Sequence, residues 1–300
     1  FGEDLMSRVS YAMLNEGGTE KMTTVVREAI DNLILTISKQ NQISLDQIVE
    51  MVIVANPIMH HLLLGIDPSE LGQAPFALSI AGAINVDAEH LKLSLNENAK
   101  IYILPCIAGH VGADAAAVAL SEAPDKEQET TLIIDVGTNA EIILGNKNQV
   151  LACSSPTGPA FEGAQISCGQ RAAPGAIEKV RIHPKTRQIS VKVIGSNFWS
   201  DDKQFEEAIK DIGITGICGS GIIEAIAEMR VAGILDESGL IGSAEQTGCK
   251  NCIDNGRTYS FLLYKNLDRK QDIVITNNDV RAIQLAKAAL YAGAKLLMEK

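Results

Sequence analysis

The chain has 300 residues, 46% hydrophobic and 4% aromatic, enough to bury a substantial core as one large or two modest domains, which excludes disorder as the default. Its formal charge of −11 is scattered rather than gathered in a tail, so it speaks for solubility and against nucleic acid as a partner. No apolar run approaches the roughly 20 residues that span a bilayer, and FGEDLMSRVSYAML carries acids where a secretory leader carries bases; the expectation is a cytoplasmic protein with no membrane partner.

From Glu3 to about Gln42 the chain reads as helical, with Leu5, Val9 and Met13 on one stripe and Val25, Ile30, Leu33 and Ile37 on another; Gly17 and Gly18 separate the two. Met51–Ala55 reads as a strand. It leads into an apolar helical turn through His60, His61 and Leu64 that Gly65 and Pro68 stop. Histidine suggests a metal or a proton relay, but the apolar setting favours packed, hydrogen-bonded imidazoles. Ile101–Pro105 is a second strand, running through Gly109 and Gly112 into an Ala-rich helix at Asp114. The repeated strand, glycine turn and helix indicate an α/β class.

Ala123–Glu129 is charged and holds Pro124, so the boundary falls there: residues 1–123 form a first domain and 124–300 a second. Beyond it, Thr131–Asp135, Ala140–Leu144 and Val150–Cys153 are apolar runs joined by tight turns, an antiparallel meander. Val180–Ile182 and Ile189–Val193 flank a turn-like His183–Arg187 and form a hairpin. Helices follow at Ser220–Leu235 and Asp279–Glu299, the latter with Asn277 or Asn278 as its N-cap.

Six cysteines, Cys106, Cys153, Cys168, Cys218, Cys249 and Cys252, show no disulfide-scaffold spacing and are expected as thiols. Cys249 and Cys252 have metal-ligand spacing, but no second pair completes a four-ligand site. The chain has no Ser-His-Asp order, no His-Glu-x-x-His and no P-loop lysine.

The sharpest chemical signal is Leu132-Ile-Ile-Asp135-Val-Gly137-Thr138-Asn139-Ala-Glu141, read as a buried strand ending in an acid, a glycine turn with a hydroxyl, and a returning strand. Such a turn can offer backbone N–H groups and the Thr138 hydroxyl to phosphate oxygens, while Asp135 holds a magnesium-bound water and Gly137 admits the phosphate. An Asp-x-Gly hairpin alone also occurs without function. Two glycine segments add context: Gly158-Pro-Ala-Phe-Glu162-Gly163 after the third strand, and Gly219-Ser220-Gly221 at a helix start.

The series IVANPIMHHLLLGIDP, LPCIAGHVGADAAA, LIIDVGTNAEIILGN, ACSSPTGPAFEGAQISCGQRAAPGAI, GICGSGIIEAIAEM and ITNNDVRAIQLAKAAL, opened by FGEDLMSRVSYA, resembles in order and spacing the reductive activators of corrinoid proteins. The resemblance implies duplicated ribonuclease-H-like halves of the actin/Hsp70/sugar-kinase type. ATP with Mg2+ would drive reduction of a Co(II) corrinoid on a partner corrinoid protein or methyltransferase, with the electron coming from an iron–sulfur cluster in a domain this chain lacks. The family's first phosphate strand and its glycine-rich closing segment are also missing, so the two halves are expected to be truncated at both ends.

Carried over by position, Asp135, Gly137, Thr138, Asn139 and Glu141 are similar to the second phosphate motif, and Gly219, Ser220 and Gly221 to nucleotide contacts. Gly158, Glu162 and Gly163 join the nucleotide site. Asp114 serves with Asp135 in catalysis; Gly109, Gly112 and Asp114 form a hinge or a plain helix start. Ser154 and Ser155 resemble a serine pair that contacts the corrinoid cobalt, or are loop caps. A homodimer is hinted. A small-molecule kinase of the same superfamily, with Asp114 as its acid, and a non-catalytic docking module are the rival functions.

Overall fold

A computed structural model describes residues 4–266 and 271–300; Phe1, Gly2 and Glu3, where the first helical run and the first family segment begin, lie outside the described residues. Contacts divide the described chain into two compact units. One holds the residues up to Asp135 with Glu141–Ser154, the other Val136–Ala140 with Ser155–Glu299.

In the first unit, helices α1 (Leu5–Leu14) and α2 (Gly18–Asn41) precede strand β1 (Glu50–Ile53) and helix α3 (Pro57–Leu64). Helix α1 starts at Asp4, whose carboxylate accepts from the Ser7 N–H in a capping box. Helix α3 is bounded by Asn56, which accepts from the Met59 N–H, by Pro57 in its first turn and by Gly65 at φ 77°.

Strand β2 (Ile84–Asp87), the single helical turn α4 (Ala88–Leu91) and β3 (Lys100–Ile103) follow, and the sheet order is β1–β3–β2, with β1 parallel and β2 antiparallel to β3. Ile101 and Ile103 are fully buried in that sheet, in one cluster with Ile34, Leu63 and Leu91.

The α2 expectation needs correction. Met22, Thr23, Ile34 and Ser38 form its buried face, whereas Val25, Leu33 and Ile37 of the expected stripe are exposed. Helix α2 has two apolar stripes, and the one that lies on α3 is fixed where Arg27 Nε donates to the Leu63 carbonyl at 2.9 Å.

Helix α5 (Ala113–Glu122) ends at Ala123, and Pro124–Lys126 forms one 3-10 turn. Strands β4 (Thr131–Val136), β5 (Ala140–Asn146) and β6 (Gln149–Ser155) then make a sheet in chain order, the meander expected. Links of two and three residues between sheet neighbours require antiparallel pairing. Strand β4 is not buried as expected: Leu132, Ile134 and Val136, which alternate and so share one face of this edge strand, are each more than 40% exposed.

In the second unit, β7 (Ala176–Ile182) pairs with β8 (Ile189–Val193) in the expected hairpin, Ile182 opposite Ile189. After the single turn α6 (Phe205–Ala208) comes β9 (Gly216–Ile217), only two residues long and parallel to β7. So short a partner leaves β7 donors open at Val180 and Ile182, and Glu224 and Glu228 of helix α7 (Gly219–Val231) accept them at 2.6 and 2.8 Å. Four helical residues rise about 6 Å and two strand residues about 6.6 Å, so the spacings match. Helix α7 stops at Val231, short of the expected Leu235; Gly233 at φ 68° turns the chain.

The turn α8 (Ala244–Thr247) leads to β10 (Cys252–Asp254), β11 (Tyr259–Tyr264) and β12 (Ile273–Ile275), an antiparallel sheet with no counterpart among the expected elements. The last helix, α9 (Asn277–Met298), is capped by Thr276 rather than by Asn277 or Asn278, in a capping box with Asp279. Phe205, Phe261, Ile177 and Ile222 lie fully buried in one core.

Candidate functional site

In the first unit the Asp114 carboxylate comes within electrostatic reach of two that lie further along the chain, Asp135 and Glu141. Gly112 caps α5, and the Ala113 N–H donates to the Ala55 carbonyl at 2.9 Å, which seats the helix start on the end of β1. A Cβ at Gly112 would lie 2.7 Å from Asn56 Cα, so only glycine lets the two segments approach. Asp114 in that first turn accepts from the Ala115 N–H at 2.9 Å and borders an apolar groove of about 480 Å³ that Val25, Ile30, Leu33, Val54 and Met59 help to line. Burial raises its pKa, the amides of Ala115 and Asp114 oppose the rise, and the Asp135 carboxylate adds to it.

Glu141, at the start of β5, is likewise pushed up, first by burial and then by Asp114 and Asp135; the Ser154 hydroxyl, 3.1 Å away, opposes the shift. The Cys153 thiol is raised by burial and by Glu141. Three mutually repelling carboxylates with no cation among these influences suit a divalent ion. Among the described residues, however, no group of three His, Cys, Asp or Glu is placed to hold a metal ion.

In the second unit the turn after Asp135 is tied down by side chains. The Thr138 hydroxyl donates to Glu162 Oε2 at 2.6 Å, and Thr157 Oγ1 lies 2.7 Å from the Gly137 carbonyl oxygen and 3.0 Å from that of Thr138. Gly158 and Gly163 frame the one-turn segment Pro159–Glu162. Gly163, at φ 80°, has the Gln170 carbonyl where a Cβ would sit, whereas Gly158 faces open space.

Two family models cover almost all of the chain: the RACo middle region over residues 1–127 and the C-terminal domain of RACo, the ASKHA domain, over residues 129–300. The chain belongs to this family of corrinoid reductive activators. It is 34% identical over its whole length to the corrinoid activation enzyme RamQ of Eubacterium limosum, covering 48% of that protein. It is 27% identical over 79% of its length to the [Co(II) methylated amine-specific corrinoid protein] reductase of Methanosarcina barkeri, covering 45%.

A solved reductive activator for corrinoid, iron-sulfur protein superposes with a TM-score of 0.81 at 33% identity, over all of this chain and 45% of that one. The chain thus spans about half the length of the relatives it matches. The α/β, actin/Hsp70/sugar-kinase fold expected from sequence is borne out.

Within this RACo-family chain the remaining expected residues fall as follows. Asp135 is exposed, and Asn139 is half-buried beside Thr138. Ser154 is half-buried on Glu141, while Ser155 is buried with its hydroxyl donating to the Ala289 carbonyl at 2.7 Å. Ser220 is exposed, its hydroxyl 3.2 Å from Cys218 Sγ. At Gly219 and Gly221 the volume of a Cβ is already filled by the carbonyls of Phe161 and Ile177, at 1.6 and 2.2 Å, so these glycines let α7 press on the Gly158–Gly163 loop and on β7. Gly219→Ala is expected to cost about 3 kcal/mol by forcing that loop away, while Ser220→Ala stays near wild type; denaturant midpoints of the two variants check this.

Gly109 is packed as tightly, with the Phe76 carbonyl 2.0 Å from the place of its Cβ. His61 is buried and hydrogen-bonded as expected, to the Pro57 carbonyl and the Ser79 N–H. His60 differs: it is fully buried, and neither ring nitrogen has a partner among the described residues. Cys249 and Cys252 are buried beside Thr247, 3.3 Å from Cys252 Sγ. The residue that sequence reasoning missed is Thr157: one hydroxyl after Ser154, Ser155 and Pro156 carries no spacing signal, and its contacts lie 19 and 20 residues back.

Proposed function

We propose that this chain is the ATP-handling part of a reductive activator that returns a Co(II) corrinoid, on a corrinoid protein or corrinoid-dependent methyltransferase, to its active reduced state. The observation that carries the reading is the mutual influence of the Asp114, Asp135 and Glu141 carboxylates, with Asp135 two residues before Gly137 in sequence, in a chain whose relatives are named for corrinoid activation.

In this reading Asp135 holds a water of the Mg2+ that accompanies ATP, and Glu141 supports it. The Gly137, Thr138 and Asn139 turn receives phosphate oxygens; Gly158, Glu162, Gly163, Gly219, Ser220 and Gly221 shape the surrounding nucleotide surface. A water held by Asp114 attacks the γ-phosphorus, a P–O bond forms as the bond to the β-phosphate oxygen breaks, and Asp114 takes the proton. Nucleotide can shift affinity for the corrinoid partner only by its own differential affinity for two states of the protein. The electron comes from an iron–sulfur cluster outside these 300 residues. Both serine hydroxyls have acceptors, Glu141 for Ser154 and the Ala289 carbonyl for Ser155, and Ser154 is the better placed to face the cobalt because it is half-buried whereas Ser155 is buried. The proposed action is cytoplasmic, as a homodimer and on protein partners only; no described helix is long and apolar enough to cross a membrane. Domains 1–123 and 124–300 remain the proposed division.

Calorimetric titration of magnesium-ATP tests the reading. Asp135→Ala is expected to weaken binding about 10- to 100-fold through the lost charge-assisted contact; equal affinity in wild type and variant would sink it.

A further inference from the structure

We infer that Thr157 is a positioning residue that holds the Gly137–Thr138 turn in the shape that receives phosphate. The inference rests on the ATP reading above. Thr157 is buried, 7% exposed, and its single hydroxyl hydrogen is shared between two consecutive carbonyls, those of Gly137 at 2.7 Å and Thr138 at 3.0 Å.

A trans peptide points its C=O and N–H in opposite directions. The peptide that carries the Gly137 carbonyl also carries the Thr138 N–H, and the one that carries the Thr138 carbonyl also carries the Asn139 N–H. Drawing both carbonyls onto Thr157 therefore directs both amides away from it on the same side, and successive amides presented together make an anion-binding concavity.

The side chain of the turn does not substitute for those amides. The Thr138 hydroxyl is committed to the Glu162 carboxylate at 2.6 Å, so a phosphate oxygen meets a hydroxyl that already has an anionic acceptor. Affinity for phosphate then falls on the backbone, and the backbone shape falls on Thr157. Gly137 fits this division: a Cβ there would meet the Asn139 carbonyl at 3.2 Å, so glycine keeps the turn tight enough for both carbonyls to reach one hydroxyl.

The test is magnesium-ATP affinity by calorimetry in the full chain for wild type, Thr157→Val, Thr157→Ser and Ile275→Val, the last a core change in the same unit that separates stability loss from turn shape. Thr157→Val, which keeps the side-chain outline and removes the hydroxyl, is expected to weaken binding about 10-fold. Thr157→Ser is expected to stay within about twofold of wild type, and Ile275→Val to bind as wild type does. If circular dichroism shows Thr157→Val unfolded, Thr157→Ala is titrated in its place. The inference is overturned if removal of the hydroxyl leaves affinity unchanged, or if serine fails as valine does. If wild type itself binds no magnesium-ATP, the ATP reading fails and takes this inference with it.

Discussion

Asp114→Asn is expected to lower ATP turnover about 10²- to 10⁴-fold, the range that loss of a general base produces, while magnesium-ATP still binds. The same substitution is expected to stabilise the first unit. Burial holds the Asp114 carboxyl above the usual range and Asp135 adds to the rise, against the amides of Ala115 and Asp114. A carboxyl raised on folding contributes stability that is full below its unfolded pKa and is lost as pH rises through the folded value. Above that folded value wild type has lost that contribution, whereas asparagine carries no charge to desolvate at any pH. Tm of Asp114→Asn should thus exceed that of wild type at pH 7 to 8, with the gap closing in acid. Single-turnover hydrolysis and thermal melts across pH read both effects; undiminished hydrolysis would remove Asp114 from the chemistry, and an unchanged Tm would mean that its burial costs nothing.

Asp279→Ala is expected to be among the most destabilising single changes in the second unit, by about 3–5 kcal/mol. The residue is 1% exposed. One carboxylate oxygen accepts from the Ser167 N–H at 2.8 Å and the Ser167 hydroxyl at 3.0 Å, the other from the Thr276 N–H at 2.7 Å and the Thr276 hydroxyl at 2.8 Å. Alanine takes the acceptor from the partly buried N–H groups of Ser167 and Thr276 and removes the carboxylate half of the capping box of α9. It also releases the segment around Ser167, a turn closed by the Gly169 N–H bond to the Ile166 carbonyl, in which Gly169 lies against the Gly163 carbonyl. Asp279→Asn keeps one acceptor oxygen and should recover part of the loss. Chemical denaturation measures both; a cost below about 1 kcal/mol for alanine would show that water replaces the carboxylate.

What was legible in the sequence is what local chemistry decides. The β4–β5–β6 meander and the β7–β8 hairpin follow from period-two apolar runs and tight turns, and the bounds of α3 from Asn56, Pro57 and Gly65, because strand alternation, turn residues and caps act over a few residues. The Asp135–Glu141 turn was legible for the same reason, and the ordered segments that surround it placed the chain in its family. Tertiary structure alone decided which apolar stripe of α2 is buried, since Val25, Leu33 and Ile37 satisfy the helical period as well as Met22 and Ile34 do. It also decided that Leu132, Ile134 and Val136 share an exposed face, because what covers a face is set by elements elsewhere in the chain. The joining of Asp114 to Asp135 and Glu141, the service of Glu224 and Glu228 to β7, and the hold of Thr157 on Gly137 and Thr138 were likewise decided there. Each is an interaction between groups about 20 to 50 residues apart, whose energy depends on distance and burial in space, and neither quantity is written in residue spacing.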